Sequence, residues 1–171
     1  RPGLELFDSI VTEDLIRDGC ENDALFEFEL EEREEEGSYS ATFLLDPDYP
    51  ESHAYAEVTV APAGKLLKLD EYRRYRKKVL KLDRDKPPDE RWAPTLFPDI
   101  GKRAMASMMV SPEGGGGDLV FTTNDGRFDV KVEQWSHVAE DIEGPTVLSF
   151  KIAAEICRLY DSRRDGARSE R

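Results

Sequence analysis

A chain of 171 residues, of which 39% are hydrophobic, is long enough for one domain with a sizeable core. The formal net charge of −13 argues against nucleic acid as the main ligand, because phosphate repulsion would act over most of the surface. No apolar run approaches the ~20 residues that a membrane helix needs, so we expect no membrane span.

The charge is unevenly distributed along the chain. Residues 1–64 carry 18 acidic and 3 basic side chains, whereas residues 65–91 carry 11 basic and 6 acidic ones. We therefore expect the partner to be another protein with a basic surface, bound by the acidic first third.

The first third of the chain predicts a helix and three strands. The apolar spacing of Leu4–Asp18 is helical, and Gly19 suits a C-terminal cap. Ala24–Arg33 alternates glutamates with apolar residues, which predicts a half-buried strand with an acidic outer face. Tyr39–Leu45 and Tyr55–Ala61 predict two further strands, because both alternate and a proline-containing break separates them.

The middle of the chain has a different character. An irregular apolar stripe from Asp70 to Leu82 predicts a helix that is crowded with cations. Asp83–Gly101 contains 4 prolines and little Gly or Ser, so we predict a connector held by its aromatic residues rather than a flexible linker. We interpret residues 65–117 as a basic, Pro-rich elaboration of a single domain that spans residues 1–171.

The strongest local signal is a hairpin within Asp118–His137. Two alternating segments flank Asn124-Asp125-Gly126, and these residue types tolerate the positive φ that a tight turn needs. Arg103–Val110 predicts the strand that precedes the hairpin. Gly114–Gly117, which lies between them, is predicted to be a mobile loop.

The chain ends in a predicted helix and a charged tail. Thr146–Asp161 carries a broad apolar face, and Ser162–Arg171 is predicted to be frayed. The order of elements therefore predicts an α+β fold. We expect an antiparallel sheet of about six strands in two meanders, with the N-terminal, central and C-terminal helices packed on one side.

No group of residues has the pattern of an active site. His53 and His137 are the only histidines, and neither neighbourhood has metal-ligand spacing. Cys20 and Cys157 are too few for a disulfide framework, which indicates a reducing, intracellular location such as the cytoplasm. We therefore predict no catalytic residue, no metal site and no cofactor, and we expect no enzymatic activity.

Two charged surfaces are candidates for binding. The predicted partner-binding surface is the acidic strand with the loop that follows it: Glu27, Glu29, Glu31, Glu34, Glu35 and Glu36. A secondary basic patch lies on the predicted central helix: Arg73, Arg74, Lys77, Lys78 and Lys81. This patch could bind an acidic partner, a phosphate or a membrane surface, or it could face solvent or the acidic first third of the same chain.

Two separated stretches share a pattern with a known superfamily. The first has an opening helix at Leu4–Ile16, two strands, and then Tyr49 and Pro50 in a turn. Ala54 stands where that pattern has a further proline. The second stretch contains Gly126 and a tryptophan-serine pair before a long helix.

Trp135 and Ser136 form that pair, and His137 replaces the proline that follows it in the pattern. Together the stretches resemble the ubiquitin-conjugating-enzyme superfamily, which includes the inactive UEV branch and the RWD domains. The resemblance places Asp129 at the catalytic cysteine of that superfamily. Because a carboxylate cannot form the required thioester, the resemblance implies an inactive, binding-only member, in which residues 65–117 are an insertion.

Three functions therefore stay open at the level of sequence. We expect a non-catalytic protein–protein interaction module that is an adaptor or a subunit of a larger assembly. The order of elements also resembles that of type III secretion chaperones and, more loosely, of acidic immunity proteins. An acidic chaperone or immunity-type inhibitor of a basic effector or toxin is thus the first alternative, and an enzyme of unidentified type is the second.

Overall fold

The computed structural model describes residues 4–19, 28–35, 37–45, 55–111, 114–136 and 143–170. Six antiparallel strands form one sheet: β1 (Phe28–Glu35), β2 (Ser38–Leu45), β3 (Tyr55–Pro62), β4 (Arg103–Ser111), β5 (Gly114–Thr122) and β6 (Phe128–Ser136). Their order is β1-β2-β3-β6-β5-β4, so two meanders are joined where β3 pairs with β6. This arrangement confirms the predicted α+β class.

The helices are α1 (Glu5–Asp8), α2 (Glu13–Gly19), α3 (Leu69–Asp83), α4 (Ala93–Leu96) and α5 (Glu143–Ser169), with a 3₁₀ turn at Pro88–Glu90. α1 and α2 contact α5, and α5 packs along β5 and β6. The central helix α3 contacts α4, which in turn contacts β4. None of the helices within the described ranges is both long and apolar enough to cross a membrane.

The core lies between one face of the sheet and the helices α1, α2 and α5. Residues that are opposite each other in the register, such as Val58 and Val132, are fully buried there. Phe7 of α1 stacks on Tyr160 of α5 with ring centroids 5.0 Å apart, and the edge of Phe128 meets both rings. These aromatic contacts fix α1 against α5 and β6.

The single helix predicted at Leu4–Asp18 is two short helices. Oγ1 of Thr12 accepts a hydrogen bond of 3.3 Å from the backbone N–H of Leu15, which is the geometry of an N-cap for α2. The hydroxyl of Ser9 donates to the carbonyl of Leu6 at the end of α1. Side chains that bond to nearby backbone groups compete with helical bonding, so the helix ends and restarts here.

Gly114–Gly117, predicted to be a mobile loop, is instead the first half of β5. Met108–Ser111 of β4 and Gln134–Ser136 of β6 pair with this segment from its two sides. A Cβ at Gly116 would overlap the backbone carbonyl oxygen of Gln134 and would lie 2.9 Å from Cε3 of Trp135, so the backbone of β6 and the ring of Trp135 occupy the space above the glycine. The glycine is therefore a requirement of close packing.

The predicted frayed tail, Ser162–Arg171, continues α5 through Ser169. Arg164 lies 3.4 Å from Oδ2 of Asp125, and its side chain is only 22% exposed. The helix also begins at Glu143, so that Pro145 lies in its first turn, where a missing N–H is tolerated. Contacts with the β5–β6 turn, which the local sequence does not reveal, extend the helix.

The connector Asp83–Gly101 is held by aromatic contacts, as predicted, although it contains a 3₁₀ turn and α4. Phe97 makes edge contacts with Tyr72 and Tyr75 of α3, at centroid distances of 5.7 and 5.6 Å. Trp92, in contrast, is 56% exposed and takes little part in the packing.

Candidate functional site

The face of the sheet opposite the core carries a row of carboxylates. The register places Glu57 of β3 opposite Glu133 of β6, and Glu133 opposite Asp118 of β5. All three residues are partly exposed. We call Glu57, Glu133 and Asp118 the acidic row. Like charges directly opposite each other destabilise a sheet, so this arrangement lowers the stability of the fold.

Hydroxyl groups from the neighbouring strands hold these carboxylates. Their bonds run from Thr42 Oγ1 to Glu57 Oε2 (2.8 Å), from Tyr55 OH to Glu133 Oε2 (3.2 Å) and from Ser107 Oγ to Asp118 Oδ1 (2.8 Å). The ammonium of Lys131 lies 3.7 Å from Oε1 of Glu133. Neutral donors therefore orient the acidic row while leaving most of its charge in place.

The negative charge of the acidic row affects the pKa of one neighbouring residue, Tyr55. Burial, followed by the charge and hydrogen bond of Glu133 and the charges of Glu57 and Asp118, raises the pKa of Tyr55 to about 12. Each of these carboxylates disfavours the phenolate, because like charges repel. Tyr55 is therefore a neutral donor at ordinary pH.

An aromatic pair lies next to the acidic row. Tyr55 is opposite Trp135, and Trp135 is opposite Gly116. Both aromatic side chains are partly exposed, and the ring of Trp135 lies over the backbone of β5 at Gly116. Carboxylates beside aromatic rings can bind a lysine or arginine through both ion pairing and cation–π contact.

The predicted partner-binding glutamates fall partly on β1. Glu29, Glu31, Glu34 and Glu35 belong to this strand, whereas Glu27 and Glu36 lie outside the described residues. Glu34 and Glu35 were predicted in a loop, but the strand includes them because Gly37, with φ 77°, permits an immediate turn into β2. The backbone register places Glu31 opposite Thr42, in line with the acidic row.

Asp129, the position to which the resemblance drew attention, is fully buried. Its Oδ2 accepts hydrogen bonds from the backbone N–H groups of Gly64, Leu66 and Leu67, at 2.8, 3.1 and 2.9 Å. Its Oδ1 accepts a 2.8 Å bond from the hydroxyl of Thr122. Asp129 therefore anchors the segment that leaves β3, and it has no access to a partner.

The predicted basic patch is exposed on α3, but its members separate into two groups. Arg73, Lys77 and Lys81 line a cleft between α3 and the segment that contains α4, whereas Arg74 and Lys78 do not. None of the five lies within 4 Å of a carboxylate of the described residues. Among the residues whose side chains the structure describes, α3 thus has no ion pair with a carboxylate.

The remaining candidates for chemistry are few. His53, His137 and Cys20 lie outside the described residues. Cys157 is buried, and burial together with the charge of Asp161 raises the pKa of its thiol, which disfavours the reactive thiolate. No group of three or more His, Cys, Asp or Glu side chains could hold a metal ion among the residues that the structure describes.

Sequence reasoning missed the acidic row and its aromatic neighbours as a surface. Glu57, Glu133 and Asp118 each occupy outward positions of alternating strands, which is a weak signal that the sequence does contain. The information that was missing is the pairing of β3 with β6, which brings residues 76 positions apart into register. Only the pairing of β3 with β6 brings Glu57 next to Glu133 and Asp118, so that the three acids form one surface.

Comparisons with known proteins give no family assignment. Asp129 lies in β6, within a hairpin. A loop at this position would have supported the resemblance to the ubiquitin-conjugating-enzyme superfamily. The resemblance stays a prediction. No family model, no curated protein and no solved structure matches this chain.

Proposed function

We propose that this protein is a non-catalytic interaction module that binds a basic segment of another protein across the acidic row. The observation that carries the proposal is the register of Glu57, Glu133 and Asp118, three carboxylates directly opposite one another. Within the described part of the chain, Lys131 is the one cation within 4 Å of them. A partner's cations would relieve the repulsion that the fold leaves uncompensated.

The dimensions of the acidic row define the ligand. Adjacent strands are spaced by about 4.8 Å, so three carboxylates on neighbouring strands extend over about 10 Å. An extended peptide covers that distance with about three residues, so two cationic side chains can reach the row together. Tyr55 and Trp135 add aromatic surface beside it, and the cations can contact their rings.

The expected binding is strongly dependent on salt. Ion pairs between exposed groups are individually worth only about 0–1 kcal/mol, so the affinity depends on several of them acting together with the aromatic contacts. Such interactions are screened within about 8 Å at physiological ionic strength. Binding that is insensitive to salt would contradict the proposal.

The decisive variant replaces the acidic row without changing its shape. Glu57→Gln, Glu133→Gln and Asp118→Asn together remove three charges, and we expect this triple variant to lose binding to a labelled peptide of alternating lysine and glycine. The same variant, used as bait in the native source, should lose the basic proteins that the unmodified protein captures. Fluorescence anisotropy and mass spectrometry measure the two effects.

A matched control removes three exposed charges elsewhere: Glu71→Gln, Glu170→Gln and Asp99→Asn. Its net charge equals that of the triple variant, so it separates a local site from the general attraction of an acidic protein for cations. Equal losses in the two variants would contradict the proposal. The identity of the captured proteins would distinguish an adaptor from a chaperone or an inhibitor.

A further inference from the structure

A cleft of about 1000 Å³ lies between α3 and the segment that contains α4. Six cationic side chains line it: Arg73, Arg76, Lys77, Lys81, Arg84 and Arg91. The rest of its lining is mostly uncharged and comes from Tyr72, Leu80, Ala93 and Pro94. This concentration of positive charge occurs in a chain whose net charge is −13, and it shares no residue with the acidic row.

The six cations have no ion-pair partner among the residues that the structure describes. All of them are exposed, and none lies within 4 Å of a carboxylate of the described residues. Elsewhere in the same structure, Arg158 pairs with Glu155, and Arg164 lies among three carboxylates. Unpaired cations that converge on one concave surface repel one another, and an anion bound between them would remove that repulsion.

Two hydrogen bonds hold the walls of the cleft together. Asp83, the one carboxylate of the lining, is 3% exposed and accepts a 2.8 Å hydrogen bond from the N–H of Ala93, so it holds the start of α4 against the end of α3. Nε of Arg91 donates to the carbonyl of Lys86 over 2.9 Å. A preformed cleft loses little conformational entropy when it binds a ligand.

We propose that this cleft binds a compact polyphosphate anion. Four of the six cations are arginines, whose planar guanidinium groups bind phosphate oxygens through paired hydrogen bonds. A phosphate group carries a charge of about −1.5 to −2 near neutral pH, so two or three of them match six cations within one cleft. Carboxylates of a peptide, at one charge per residue, could not reach this density.

The charge of the remaining surface selects a small ligand over a macromolecule. A nucleic acid or an acidic protein would extend beyond the cleft and meet the acidic body of this chain, where like charges repel. A compact anion fits within the cleft and avoids that repulsion. The polyphosphate could be a free metabolite or the headgroup of a lipid, since both present the same chemistry.

The test uses the full chain and inorganic tripolyphosphate, with calorimetry as the measurement. The variant Arg73→Glu with Lys77→Glu reverses two charges that line the cleft. Its control, Arg74→Glu with Lys78→Glu, makes the same change on the same helix, one residue along, outside the cleft. Both pairs are exposed, so both variants should fold, and circular dichroism with thermal unfolding checks that they do.

We expect the cleft variant to bind tripolyphosphate at least about tenfold more weakly, because each reversal replaces attraction with repulsion. The control should stay within about twofold of the unmodified protein, since screening weakens charges outside the cleft. Arg91→Gln, on the opposite wall, should weaken binding in the same direction. Equal losses in the two helix variants, no effect of Arg91→Gln, or no binding of tripolyphosphate at all would overturn the proposal.

Two further arms identify the source of the phosphate. Vesicles that contain a phosphoinositide bisphosphate are compared with phosphatidylserine vesicles of equal surface charge. Selective binding to the phosphoinositide supports a lipid headgroup, and tripolyphosphate binding without it supports a free anion. Tighter binding to duplex DNA or to a polyglutamate peptide than to tripolyphosphate would overturn the assignment to a compact anion.

Discussion

The backbone N–H of Leu67 donates a hydrogen bond of 2.9 Å to Oδ2 of Asp129. Both residues are almost completely buried, at 2% and 0% exposure. The N–H groups of Gly64 and Leu66, whose bonds are partly buried, converge on the same oxygen. The buried N–H of Leu67 has no water to replace the carboxylate. The carboxylate of Asp129 thereby holds the segment that leads from β3 into α3.

Replacing this carboxylate should be severely destabilising. We expect Asp129→Ala to lower the free energy of unfolding by about 3 kcal/mol, because the buried N–H of Leu67, the buried hydroxyl of Thr122 and two partly buried N–H groups lose their acceptor. Asp129→Asn should be intermediate, since its amide keeps one oxygen. Urea denaturation measures both, and Asp99→Ala, at an exposed position, should change stability by less than about 0.5 kcal/mol. Near-normal stability of Asp129→Ala would contradict the role assigned to this residue.

Asp125 should make stability dependent on acid pH. Burial alone would raise the pKa of Asp125, but hydrogen bonds from Thr123, Tyr160 and Arg127, with the charge of Arg164, lower it. A lowered folded-state pKa means that the stabilisation is present above the unfolded value of about 3.9 and is lost as the pH falls through the folded value. At pH 7, we expect Asp125→Asn to be less stable by about 1–3 kcal/mol.

That deficit should shrink as the pH falls below about 4, because the aspartate of the unmodified protein becomes protonated. Urea titrations at a series of pH values measure the difference. Tyr160→Phe removes the 2.7 Å bond to Asp125 and should reduce the pH dependence in the same sense. A deficit of constant size across this range would show that Asp125 does not titrate as proposed.

Substitution by alanine should have opposite effects on stability at two glycines. At Gly116 the added Cβ would overlap the backbone carbonyl oxygen of Gln134 and would lie 2.9 Å from Cε3 of Trp135. We therefore expect destabilisation by about 1–3 kcal/mol and a shift in tryptophan fluorescence as β6 and the ring move. At Gly166, inside α5, nothing lies within 4 Å of the added atom. Gly166→Ala should therefore stabilise the protein by up to about 1 kcal/mol. Equal effects at the two positions would contradict the packing described for Trp135.

The effect of the acidic row should be measurable as a shift in the titration of Tyr55. With its pKa raised to about 12, this phenol should stay protonated near pH 10, where a tyrosine of an unfolded chain is half ionised. The stability that follows from the raised pKa is present below about pH 10 and is lost as the pH rises towards 12. The difference in phenolate absorbance between the unmodified protein and Tyr55→Phe isolates the titration.

Glu133→Gln should move that titration towards pH 10, since it removes a charge and changes the hydrogen-bond acceptor. Glu71→Gln, on the exposed first turn of α3, serves as the control and should leave it in place. If Tyr55 titrates at the same pH in Glu133→Gln as in the unmodified protein, the negative potential proposed for the acidic row is contradicted.

The local sequence pattern predicted the strands that pair with their neighbours along the chain. The β5–β6 hairpin formed at Asn124-Asp125-Gly126 as expected, with φ 76° at Gly126 and a 2.8 Å bond from the N–H of Gly126 to the carbonyl of Thr123. The alternation of β2 and β3 was equally informative, because a half-buried strand needs it. Both features depend on residue types within a short window.

Prediction failed where distant residues override local preference. Gly114–Gly117 has the composition of a loop, but strands on both sides and the ring of Trp135 hold it in β5. The end of α5 has few apolar residues, yet Asp125 anchors it through Arg164. The sequence did not reveal the acidic row for the same reason, because its acids come from three strands that only the fold aligns.

The pairing of β3 with β6 also bears on how the chain reaches its native state. Tyr55 pairs with Trp135, and Pro62 pairs with Phe128, so this junction closes a loop of more than 60 residues. The two meanders consist of neighbours in sequence and can each assemble early, whereas their union requires a large loss of chain entropy. We therefore expect the β3–β6 junction to set the folding rate, with substitutions at Val58 or Val132 slowing refolding more than those within the β1–β2 hairpin.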